Sequence, residues 1–210
     1  MAEISVREQM IFEIAQLEWQ MLQKVYNTGG RAACQDDPDT FFKMRMSQWI
    51  VYSDELLESY LEDCKRALTK EGRNLFFEKY VRIMERTFPQ EYEELKQYLP
   101  QIPEGWMPRI EEIVQIHVKW DAWMMEHYPN IRKRGRMMQT AQDSALTGPS
   151  METYLRAELT TYSEQTLTLL YKETMAAVER GDNLLRDIIE AETRFYGYKG
   201  LDDAEEKQKD

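Results

Sequence analysis

The sequence predicts an all-α protein: a helical bundle built from two pseudo-repeated halves, an internal duplication packed as one compact unit. Three observations predict it. Apolar residues recur at helical spacing along most of the chain, and strand-like alternation is almost absent. The seven prolines and nine glycines fall mostly between these periodic stretches. Short pieces of the first half also reappear, in the same order, in the second.

The first stretch places Ile11, Ile14, Leu17, Met21, Leu22 and Val25 at helical intervals, with Glu8, Glu13, Glu18 and Lys24 between them. A second begins after "DDPD", where Asp37 or Asp39 can cap and Pro38 suits a first turn. It runs through Phe41, Met44, Trp49, Leu56, Leu57, Tyr60 and Leu61 and stops near Gly72. A third covers "NLFFEKYVRIMERTF" and ends before Pro89; "PQEYEELKQYLPQIPEGWMP" then holds a short helix and a proline-rich crossing. The second half resumes with Ile110, Ile113, His117, Trp120, Met124 and His127. After the loop "ALTGPS", Ser150 is positioned to cap "METYLRAELTTYSEQTLTLLYKETMAAVE", which is interrupted at Gly181 before "NLLRDIIEAETRFYG".

Five pieces correspond between the halves. "EIAQL" (13–17) matches "EIVQI" (112–116), Gly30-Arg31 matches Gly135-Arg136, and Gln35-Asp36 roughly matches Gln142-Asp143. "YSDELL" (52–57) matches "YSEQTL" (162–167), and "EGRNL" (71–75) matches "RGDNL" (180–184). The period is far longer than the roughly 20–50 residues of a solenoid unit. The organisation expected is a first half over 1–98, a proline-rich crossing over 99–109, a second half over 110–200 and a solvated acidic tail over 201–210. The halves are expected to form one domain about an approximate two-fold axis.

The net charge is −11, with 38 acidic against 27 basic residues, and neither half is a basic module. This argues against broad nucleic-acid binding, since phosphate would be repelled almost everywhere. The charged N-terminus lacks the apolar core of a signal peptide, and no apolar run is long enough to span a bilayer. Cys34 and Cys64 have neither zinc-knuckle nor redox-pair spacing. A cytoplasmic monomer or homodimer is expected, without membrane or nucleic-acid partners.

The segments "GGRAACQDDPDTFFKMRMSQW", "SDELLESYLED", "EGRNLFFEKYVRIMERTFPQEYEEL" and "ETYLRAELTTYSEQTL", with "YGYKGL" near the end, give the chain its resemblance to the domain-of-unknown-function 4125 family. The resemblance runs from about Glu13 to Leu201. It implies a compact standalone protein and assigns no substrate, cofactor or catalytic residue.

Candidate chemistry centres on the two Gly-Arg turns. Arg31 offers a planar fork suited to carboxylate or phosphate, and Asp36 and Asp37 offer acceptors beside it. The plain structural alternative is that Arg31 pairs with an aspartate while Asp37 or Asp39 caps the next helix. The second turn carries Arg132, Lys133, Arg134 and Arg136, an anion-attracting patch in an acidic protein or a solvated turn balancing a helix dipole. Arg45, Arg156 and Tyr162 lie on or beside mostly apolar helical faces, where a polar group needs a partner. His117 and His127 are ten residues apart on one helix, about 15 Å and too far to share a metal. His117 and Asp121 are spaced to chelate, but no Glu-x-x-His pair accompanies them, so no metal or cofactor is expected. The functional expectation is a small polar or anionic ligand held between the halves by Arg31, Asp36, Asp37, Arg45, Arg136, Arg156 and Tyr162, with no reaction assigned. The alternative is a helical protein-interaction module without catalytic activity.

Overall fold

Serine, asparagine and aspartate side chains set most of the helix starts in the computed structural model of the chain, which describes residues 5–26, 30–136 and 139–209. Helix α1 (Val6–Gln23) opens with a reciprocal cap: Ser5 Oγ accepts from the Glu8 N–H, and the Glu8 carboxylate accepts from the Ser5 N–H. Asp37 caps α2 (Pro38–Trp49) through the Thr40 N–H, with Pro38 in the first turn. Ser53 caps α3 (Asp54–Arg66), whose end continues as a wider turn over Ala67–Glu71. Asn74 caps α4 (Leu75–Thr87), and Pro89 starts the short α5 (Pro89–Leu95). The crossing leads into α6 (Trp106–His127), followed by the single turn α7 (Pro129–Arg132). Ser150, Ser163 and Asn183 cap α8 (Met151–Leu159), α9 (Glu164–Arg180) and α10 (Leu184–Phe195), and α11 (Leu201–Lys207) closes the chain. Among the described residues there are eleven α-helices and no strand.

The structure divides two stretches that periodicity reads as continuous. Both breaks contain a Tyr-Ser pair. Ser53 Oγ accepts from the Leu56 N–H and Ser163 Oγ from the Thr166 N–H, each starting a new helix. Tyr52 and Leu56 are buried on either side of the first break, and Tyr162 and Leu167 flank the second. Apolar spacing therefore passes through both breaks without a visible interruption.

Helix α1 packs on α2, α3 and α4, and α6 packs on α8, α9 and α10. Between these groups α2 meets α10, α4 meets α8, and α3 meets α9. Along the last contact the Ser53 N–H donates to Glu173 on α9, while the Ser163 N–H donates to Asp63 on α3. One apolar core draws on both groups, from Ile11, Ile14 and Leu57 to Ile110, Ile113 and Leu167. Each such side chain contributes about 1.5–3 kcal/mol on full burial. At its centre the rings of Trp49 and Tyr60 stack with centroids 4.1 Å apart.

The acidic end is not a solvated tail. Leu201 and Ala204 of α11 are buried, and the Glu205 carboxylate accepts from the N–H groups of Asn130 and Ile131 at 2.9 Å each. Cys64 is buried and Cys34 exposed, both as free thiols. Among the described residues no helix is long and apolar enough to cross a membrane.

Candidate functional site

In the first Gly-Arg turn Gly30 has a φ of +96°, strained for a side-chain-bearing residue. Arg31 Nε then donates to Asp36 at 2.9 Å, and Nη2 donates to Gln23 Oε1 and the Gln35 carbonyl at 2.7 and 2.8 Å. Gln35 is buried and donates to the carbonyls of Leu22 and Val25 at the end of α1. Arg31 thus ties Asp36 to the end of α1, while Asp37 serves as the α2 cap.

The second turn solves a different problem. Arg132 is buried and forks onto Asp121 through Nε and Nη2, and Nη2 also donates to the Arg136 carbonyl. A Cβ on Gly135 would collide with the Arg132 guanidinium, so glycine is needed there for close approach. This pair also occupies Asp121, the residue spaced to chelate with His117. The Arg136 guanidinium lies 4.7 Å from the Tyr154 ring centroid, a cation–π contact. In both turns a glutamine folds back onto the start of its short helix: Gln35 accepts from the Ala32 N–H and Gln142 from the Gln139 N–H.

Arg45 and Tyr162 meet inside the protein. Arg45 binds Glu18 through Nε and Nη2, Glu158 at 3.0 Å and Gln48 at 2.7 Å. Lys79 reaches Glu158 at 3.1 Å, and the hydroxyls of Tyr60 and Tyr162 donate to Glu18 and Glu158. Side-chain exposure is 9 % or less for Arg45, Glu18, Glu158 and Lys79. Burial alone would raise the pKa of Glu158, but Arg45 and Lys79 hold it far below the carboxylate range. Burial pushes both tyrosine hydroxyls well up. Two cations therefore face two carboxylates in the core, each charge matched and hydrogen-bonded. The arrangement joins α1, α2, α3 and α4 to α8 without presenting a reactive group to solvent.

Arg156 faces a groove of about 380 Å³ between α4 and α8, closed by α5, the crossing and the start of α6. Its Nε and Nη2 each donate to Glu111 at 2.8 Å, and Nη2 also reaches Glu152 at 2.7 Å. The hydrogen bonds from Arg156 lower the Glu111 pKa; for Glu152, burial opposes the lowering by the Thr140 N–H and Arg156. Across the groove, Arg82 donates from Nη2 to the Pro100 carbonyl at 2.7 Å, but its buried Nε has no acceptor. Burial lowers the Arg82 pKa, outweighing the opposing attraction of Glu78 and Glu85. Arg86, one helical turn on, also lines the groove, exposed and without an ion pair among the described residues.

The residues singled out from sequence thus have separate surroundings: Arg31, Asp36 and Asp37 at the first turn, Arg45 and Tyr162 in the core, Arg156 in the groove and Arg136 on Tyr154. Sequence reasoning missed Arg82 and Arg86. Their i, i+4 spacing in "VRIMER" was a usable signal, hidden because arginines on helices are usually solvated. It also missed Lys79, a lysine set among Phe76, Phe77 and Tyr80. Among the described residues, no three His, Cys, Asp or Glu side chains gather as a metal-ion site. No curated protein and no solved structure matches the chain. The model of the family described as "Protein of unknown function (DUF4125)" matches residues 8–206, nearly the whole length, and the chain belongs to that family.

Proposed function

We propose that the protein binds a small anionic ligand in the groove between α4 and α8, with Arg82 and Arg86 as the receiving cations and Arg156 fixing the opposite wall. The observation that carries this reading is Arg82, which lines the groove and whose buried Nε has nothing to accept its hydrogen bond. A donor left in that state costs about 1–3 kcal/mol, more for a charged group, and an anionic oxygen would recover that loss. Glu111 and Glu152 do not compete for the position, because Arg156 already engages both.

In the same reading the groove lies between two related halves, 1–98 and 110–200, joined by the crossing 99–109 and arranged about an approximate two-fold axis. Support comes from paired local structure. Ser53 and Ser163 cap equivalent helices, as do Asn74 and Asn183. Asn74 also donates to the Met21 carbonyl on α1, and Asn183 to the Trp120 carbonyl on α6. The contact of α2 with α10 corresponds to that of α4 with α8, and α3 meets its own counterpart, α9.

Thermal unfolding with inorganic phosphate, succinate and citrate tests the ligand site. At a ligand concentration about a hundred times Kd, Tm is expected to rise on the order of 5–10 °C. Arg82→Met is expected to abolish the rise while leaving the ligand-free Tm unchanged or higher, since it removes a desolvated, unpaired charge. A lower ligand-free Tm with an undiminished response to the anions would make Arg82 structural and overturn the reading.

A further inference from the structure

A second groove, of about 580 Å³, lies between α2, α10, the α7 turn and the end of the closing α11. Its volume is within the range of about 300–1,000 Å³ usual for small-molecule pockets. Met44, Met151, Leu185 and Ile189 give it an apolar lining, and Tyr196 and Tyr198 border it. Glu192 on α10 lines the same space. Its carboxylate accepts no hydrogen bond and makes no ion pair among the described residues, and burial alone raises its pKa. Every other carboxyl group with a resolved shift is lowered, by a hydrogen bond or a cation. Glu192 therefore stands apart as an acceptor that the fold itself does not use.

The remaining charges of the groove restrict what it can hold. Arg132 is committed to Asp121, and Arg134 donates to the Gln208 carbonyl. Arg136 has its guanidinium against the Tyr154 ring but no carboxylate partner among the described residues. Three guanidinium groups against two carboxylates would repel a simple cation. A plain anion would leave Glu192 unpaired and add a like charge beside it. A hydrocarbon without charge would leave both Glu192 and Arg136 without partners. The combination that satisfies all three features carries an ammonium, a carboxylate and an apolar body.

We propose that this groove binds a zwitterionic amphiphile of the hydrophobic α-amino-acid type, its ammonium on Glu192, its carboxylate on Arg136, and its side chain against Met44, Leu185 and Ile189. The site is separate from the α4–α8 groove, and neither depends on the other being occupied.

Isothermal titration of the full chain with L-leucine and L-phenylalanine tests the assignment, alongside N-acetyl-L-phenylalanine, which lacks the ammonium, and L-phenylalaninamide, which lacks the carboxylate. The free amino acids are expected to bind. Each capped derivative should bind at least about ten-fold more weakly, the loss of one charged contact. Glu192→Gln should weaken the free amino acids about ten-fold or more while leaving the N-acetyl compound at its already weak affinity. Circular dichroism and Tm verify that this variant folds, and removal of an unpaired carboxylate should not lower its stability. Absence of binding by either free amino acid at millimolar concentration overturns the proposal. So do capped derivatives that bind as tightly as the parents, or unchanged affinity in Glu192→Gln.

Discussion

His117 illustrates how one buried side chain shapes the response of the protein to acid. Its ring packs edge-on against Trp120, 4.9 Å between centroids, and burial lowers its pKa from 6.5 to about 4. Below pH 6.5 the unfolded chain therefore takes up a proton that the folded chain refuses, and stability falls as the pH drops toward about 4. Over that window the loss from this residue is about 3 kcal/mol. His117→Phe keeps an aromatic ring without a titrating group, so its urea-unfolding free energy should be flatter between pH 6.5 and 4 than that of the parent. An equal slope in both proteins would assign the acid sensitivity to other groups. Glu158 acts in the same direction further down: its depressed folded-state pKa contributes stability above the usual carboxylate range that is lost on further acidification. The sequence marked His117 as a polar residue on an apolar stripe. It could not show that Asp121 would be taken by Arg132, eleven residues on in the chain.

At the level of elements, the two Gly-Arg turns look alike in sequence and use their glycines differently. Gly30 supplies a backbone angle, so Gly30→Ala should cost about 1–2 kcal/mol through left-handed strain alone. Gly135 supplies room for Arg132, and Gly135→Ala should displace that guanidinium from the buried Asp121 at a cost of about 3 kcal/mol. Chemical denaturation of both variants distinguishes the causes when repeated in an Arg132→Met background. There the Gly135→Ala penalty should largely vanish and the Gly30→Ala penalty persist; additive losses at Gly135 would count against the steric account. Most helix starts were legible, because a cap is written in a few adjacent residues, as in "DDPD" before α2 and Ser150 before α8. The breaks at Tyr52-Ser53 and Tyr162-Ser163 were not, because buried side chains continue across them. The core ion cluster was hidden for another reason: Arg45 and Glu158 are 113 positions apart, and no spacing within one helix connects them. The groove was equally non-local. The spacing of Arg82 and Arg86 set them on one helical face, but only the missing acceptor at the Arg82 Nε singled that residue out.

For the whole molecule, the arrangement of that ion cluster bears on which halves can associate. Under the proposed duplication, Gln48 is the counterpart of Glu158, Leu155 of Arg45 and Ile188 of Lys79. A first half paired with another first half would bury Arg45 and Lys79 against Glu18 alone, with an amide where Glu158 stands. A buried cation left without its partner costs about 3–5 kcal/mol. A second half paired with its own kind would bury Glu158 with neither cation. On that proposal the ionic core is complementary only when unlike halves meet. If the chain is divided within the crossing and the two fragments are produced together, they should recover as a one-to-one heterodimer by size-exclusion chromatography with mass detection. Abundant homodimers of either fragment would contradict this. A duplicated gene whose copies first joined like with like would, by acquiring this asymmetry, have made its two halves mutually dependent and no longer interchangeable.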